Sequence, residues 1–115
     1  MNIQLIKQPI QKPELAIMAE QQFGDFIKAV VDVRQHMIAI GGELHADEEA
    51  ALLEQGSEQK DLWGINLYPA HPKEQWIEFD SMINVRPSQG NRSRMVEDAA
   101  VQAEIRAIVQ KLVAS

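Results

Sequence analysis

Two β-branched runs, residues 26–33 and 38–45, stand four residues apart, and little in the chain fits anything but a hairpin between them. The intervening Arg34, Gln35, His36 and Met37 make the turn. Pairing Val33 with Ile38 sets Ile27, Ala29, Val31 and Val33 on one face with Ile38, Ile40, Gly42 and Leu44, and a slip by one residue would turn that apolar set to solvent. This register also places Lys28 opposite Glu43 and Phe26 opposite His45 on the other face. A second hairpin follows, from residues 62–68 and 76–86. Pairing Leu67 with Ile77 gathers Trp63, Ile65, Leu67, Ile77, Phe79, Ile83 and Val85, and leaves Asn66, Glu78, Asp80, Asn84 and Arg86 on a polar, solvated face. Pro69 and Pro72 interrupt the chain between its strands. Trp63 and Trp76 read as core and hairpin support.

Helices fit between and after these hairpins. Pro13 suits a first helical turn, Leu15, Met18, Ala19 and Phe23 share a face, and Gly24 suits the end. Asp47 is expected to cap a short acidic helix through Glu54, closed by Gly56, with Leu52 and Leu53 turned inward. Asp98 is expected to cap the clearest helix, whose Val101, Ile105, Ile108, Val109 and Leu112 recur at helical spacing. A short strand around Ile3, Leu5 and Ile6, ended by Pro9, precedes them all. The expected fold is a single α+β domain over residues 1–115. Its antiparallel sheet of two hairpins is packed on one face by the N-terminal and C-terminal helices, in the order (β)-α-β-β-α-β-β-α.

Composition narrows the function classes. A chain of 115 residues buries about 65 % of its unfolded surface, enough for one core. With no cysteine, disulfide scaffolds, thiolate zinc sites and cysteine nucleophiles are excluded, and the reducing cytoplasm fits best. No apolar stretch approaches the ~20 residues of a membrane span, and residues 1–10 lack the pattern of a signal peptide. The net charge of −6 argues against a general nucleic-acid binder.

Three places could carry chemistry. Residues 86–94 hold three of the five arginines and no acid, a local +3. Guanidinium groups grip phosphate or carboxylate in pairs, and Gly90 lets backbone N–H groups approach an anion. Arg86, Gln89, Gly90, Asn91, Arg92 and Arg94 are therefore the expected anion- or partner-binding set. The competing reading pairs these arginines with the protein's own carboxylates, since residues 43–61 carry seven acids and one lysine. The second place is Glu43, His45 and Asp47, which would project together from an extended strand and suit a metal-dependent enzyme, although no recognised metal spacing is present. In the ordinary reading Glu43 pairs with Lys28, His45 packs on Phe26 and Asp47 caps a helix. The third is the polar face of the second hairpin, whose neighbouring carboxylates could divide acid and base roles if buried.

The blocks AIGGELHAD at 39–47, DLWGINLYP at 61–69 and SMINVRPSQGNRS at 81–93 resemble a family of small uncharacterised bacterial proteins, cyanobacterial ones among them, classed as a domain of unknown function. The resemblance covers nearly the whole chain. It implies a single bacterial cytoplasmic domain and supplies no activity, cofactor or catalytic residue. The reading from sequence is thus a non-catalytic binding or regulatory module that uses the loop at 86–94 to hold a phosphate-bearing small molecule or an acidic partner segment. No cofactor is expected.

Overall fold

The computed structural model describes residues 2–114. Strands β1 (Gln4–Ile6), β3 (Ile27–Asp32), β4 (Met37–Ile40), β5 (Leu62–Leu67) and β6 (Ile77–Glu78) form one antiparallel sheet in the order β1-β4-β3-β5-β6. A parallel pair of two-residue strands, β2 (Ile10–Gln11) and β7 (Val113–Ala114), closes one side and has no counterpart in the expected order. Helices α1 (Lys12–Gln21) and α3 (Ala99–Leu112) lie on one face of the sheet. There Leu15, Ala19, Ile105, Ile108, Val109 and Leu112 meet Ile27, Ala29, Val31, Ile38, Ile40, Trp63, Ile65 and Leu67. Helix α2 (His45–Glu54) covers part of the opposite face, where Leu52 joins Val30, Met37, Ala39 and Leu62. The α+β class and the antiparallel sheet under the two terminal helices are as expected. Asp98 caps α3, its carboxylate accepting the Ala100 N–H at 2.8 Å.

The first hairpin pairs Val31 with Ile38 and Asp32 with Met37, two residues away from the expected register. The cause is Asp32, which is 1 % exposed. Its carboxylate accepts the Arg34 and Gln35 N–H groups at 2.9 Å each and the Ser57 hydroxyl at 2.6 Å, so the turn begins at Val33. A two-residue shift preserves side-chain parity, which is why the apolar face survives intact. The expected partners on the other face do not. Lys28 stands beside Asn66, and β4 stops at Ile40, short of Glu43 and His45.

Helix α2 starts two residues before Asp47, with Leu44 in the capping position and no side-chain cap. Leu52 points inward as expected and Leu53 is 40 % exposed. The inward polar residue is Glu48, fully buried, whose Oε2 accepts the Gly42 N–H at 3.0 Å. Gly42 is what admits it, since a Cβ there would stand 2.7 Å from Glu48 Cγ.

The second hairpin keeps its expected register, Leu67 opposite Ile77, yet β6 ends at Glu78. Gly64 makes the difference. A Cβ on Gly64 would stand 2.5 Å from Ser81 Oγ, so its missing side chain lets the following segment fold over β5. The segment forms a 3-10 turn, Met82–Asn84, instead of a strand. The Asn84 side chain then takes the place of a strand backbone: its Oδ1 accepts the Gly64 N–H at 2.8 Å and its Nδ2 donates to Gly64 O at 2.9 Å. Ile83 consequently packs with the α2 cluster rather than with Phe79, and Val85 is left 38 % exposed.

Two substitutions check this packing by urea denaturation. Asn84→Ala leaves two buried backbone groups of Gly64 unpaired and is expected to cost about 2 to 4 kcal/mol. Ile105→Ala, in the α3 core, is expected to cost about 2 to 5 kcal/mol. A loss below about 1 kcal/mol for Asn84→Ala would show that its amide does not complete the sheet.

Candidate functional site

The arginine-rich loop is built from the inside. Pro87–Gln89 forms a 3-10 turn, Gly90 takes a left-handed φ of 83°, and the chain returns so that Arg86 and Asn91 exchange both backbone hydrogen bonds, at 2.7 and 3.1 Å. Arg86 is 4 % exposed. Its guanidinium lies over the Trp63 ring, 4.3 Å from the centroid, and donates to the carbonyls of Ile83, Gln59 and Leu62. Burial lowers its pKa, and the charges of Glu49 and Asp61 oppose that shift. Asn91, also 4 % exposed, sets its Nδ2 within 3.1 Å of the carbonyls of Asn84, Ser93 and Met95, while its Oδ1 accepts the Glu97 N–H at 2.9 Å.

The three arginines therefore do not converge on one concavity. Arg86 and Asn91 leave the expected anion-binding set because their donors are spent on the protein's own carbonyls. Arg94 is exposed, and its Nε donates to Asp80 Oδ1 at 2.6 Å. Arg92 is exposed too, and no carboxylate lies within 4 Å of its guanidinium among the described residues. Its backbone N–H and that of Ser93 donate to Glu97 Oε2, at 3.0 and 2.7 Å, and hydrogen bonding, led by the Ser93 side chain, lowers the Glu97 pKa with a smaller contribution from the Arg92 charge. Gln89 and Gly90 face solvent.

Glu43, His45 and Asp47 are not brought together as metal ligands. Glu43 lies in the turn before α2, whereas His45 and Asp47 belong to its first turn, so the extended spacing that would have aligned them is absent. Among the described residues no group of three or more His, Asp or Glu side chains could hold a metal ion. His45 Nε2–H donates to Ile65 O at 2.8 Å, and burial is the main cause of its lowered pKa.

The polar face of the second hairpin is largely covered: Asn66 is 7 %, Asn84 0 % and Arg86 4 % exposed. Asn66 Nδ2 donates to Glu78 Oε1 at 2.8 Å, and the Tyr68 hydroxyl donates to the same oxygen at 3.3 Å. Asp80 is held by Arg94. What the sequence presents as a row of solvated polar groups is thus a set of side chains that tie strands and loops together.

One feature has no local signature in the chain. A cleft of about 450 Å³ opens between the start of α1, the Lys73–Gln75 turn and the end of α3, lined by Lys12, Lys73, Trp76, Gln110, Val113 and Ala114. The Lys12 ammonium stands 4.6 Å from the Trp76 ring centroid. Its lining residues are brought together only by tertiary packing.

Glu48 yields a test of the electrostatics. Desolvation raises its carboxyl from 4.5 to about 9, against the opposing Gly42 hydrogen bond. The folded state then keeps a proton that the unfolded state releases, so this group's contribution is full below about pH 4.5 and is lost as pH rises toward 9. Glu48→Gln imitates the protonated form. Its stability relative to wild type is expected to rise between about pH 5.5 and 8 with a slope approaching 1.4 kcal/mol per pH unit. Parallel pH curves would contradict a buried, protonated Glu48.

Among the described residues no helix is long and apolar enough to cross a membrane. Comparison with curated proteins and with solved structures finds no match to this chain. A family model described as "Protein of unknown function (DUF5674)" matches residues 4–112, nearly the whole chain, and the protein belongs to that family.

Proposed function

We propose that the protein is a non-catalytic binding module that presents the outer side of loop 86–94 to an acidic segment of a partner protein. The observation that carries this reading is the division of labour within the loop. Arg86 and Asn91 fix its backbone from beneath, while Gln89, Gly90 and Arg92 face solvent and the Arg92 guanidinium has no carboxylate within 4 Å among the described residues. A loop held in one conformation loses little entropy when a partner docks, which favours recognition. Arg94 joins the surface through its exposed half while Asp80 holds it in place. The exposed Arg92 guanidinium, with no carboxylate within 4 Å among the described residues, would draw an acidic partner toward this side. The reducing cytoplasm suits a cysteine-free chain and is part of this reading.

The experiment is an amide NMR titration with a hexaglutamate peptide. Shifts confined to residues 88–94 are expected, saturable and weakened by added salt. Arg92→Glu should abolish them and leave the melting temperature within about 2 °C, as expected for an exposed side chain away from the core. Absence of shifts in the wild type, or shifts unchanged in Arg92→Glu, would overturn the reading.

A further inference from the structure

The cleft beside Trp76 lies outside the arginine loop and shares no lining residue with it. Its volume of about 450 Å³ falls within the ~300 to 1,000 Å³ typical of small-molecule sites. Its charge is unusual for this chain. Lys12 and Lys73 both border it, and among the described residues neither ammonium has a carboxylate within 4 Å, although acids outnumber bases 17 to 11. An anion seated in the cleft would be attracted by both lysines that border it. The apolar side is supplied by Trp76, which is 7 % exposed, and by Val113, which is 6 % exposed. The indole Nε1–H donates to Pro69 O at 3.4 Å, and Gln110 adds a neutral amide to the lining.

We propose that this cleft binds a small organic anion, a carboxylate or phosphate monoester carrying a compact apolar body. Lys12 and Lys73 hold the anionic head, and the body lies against Trp76 and Val113. Lys12 is already poised over the indole, so one ammonium is positioned before any ligand arrives. Selection follows from this arrangement: a neutral analogue keeps the apolar contact and loses the head-group attraction, while a bare inorganic anion keeps the attraction and loses the contact.

The test follows the two indole N–H resonances of 15N-labelled protein during titration with phenyl phosphate, benzoate and benzyl alcohol. Trp63, packed under Arg86, is the internal control. A saturable shift of Trp76 with at least one of the two anions is expected, with Trp63 unmoved and at least tenfold weaker binding of benzyl alcohol. The tighter of the two anions identifies the preferred head group. Lys73→Glu, an exposed side chain on a surface turn, should weaken anion binding at least tenfold, whereas Arg92→Glu should leave it unchanged. No saturable Trp76 shift with either anion, or equal affinity in Lys73→Glu, would overturn the proposal. Loss of binding in Arg92→Glu would overturn it as well, by placing the anion at the loop. Because the peptide titration reads residues 88–94 and this one reads Trp76, either site can fail without the other.

Discussion

A side-chain amide completes the sheet of this protein. Asn84 meets the outer backbone edge of Gly64 with one donor and one acceptor, the pairing that a neighbouring strand would have supplied. Much of the second half of the chain follows from that contact. Because the partner is a side chain, the segment beyond Phe79 is free to curl into a 3-10 turn, and Arg86 is delivered under β5 to bond the carbonyls of Gln59 and Leu62. Asn91 locks the return of the loop, and Asn84 Nδ2 also reaches Arg94 O at 2.9 Å. Buried polar groups with this many partners cost little to keep folded and a great deal to break singly, so they act as a specification of the loop's shape.

The apolar half of the fold is legible in the sequence because periodicity reports faces. The α3 helix, the inward sides of β3, β4 and β5, and the Leu67–Ile77 register all follow from period 3.6 or period 2. What periodicity cannot report is a shift by two residues, which keeps every side chain on its face; Asp32 makes such a shift by capping its own turn, and the cross-strand partners of Lys28 change with it. Nor does alternation reveal that a polar residue has replaced a strand. Asn84 and Arg86 fit an exposed sheet face as well as a buried clasp, and only the bare Gly64 opposite them, a glycine inside a strand, hints at close approach.

The candidate sites divide along the same line. Charge density marks residues 86–94 as an anomaly, but where each guanidinium points depends on the acceptors within reach, and two of the three carbonyls that hold Arg86 belong to residues more than twenty positions away. Arg86 turns inward, Arg94 turns to Asp80, and Arg92 stays exposed, its charge felt by Glu97 but with no carboxylate within 4 Å of it among the described residues. The lysine-bordered cleft was invisible for a different reason: Lys12, Lys73 and Gln110 become neighbours only once α1, the turn after Pro72 and α3 are packed. The acidic helix likewise hid Glu48, whose burial depends on the missing side chain of Gly42.

The central claim, that buried side chains make loop 81–97 part of the folded core, is tested most directly by native-state hydrogen exchange of the wild-type amides. The Gly64, Arg86 and Asn91 N–H groups, which donate to Asn84 Oδ1, Asn91 O and Arg86 O, should exchange with free energies close to those of β3 and β5. Exchange of these three amides at the rate of a freely exposed, unbonded amide, with β3 still protected, would contradict it.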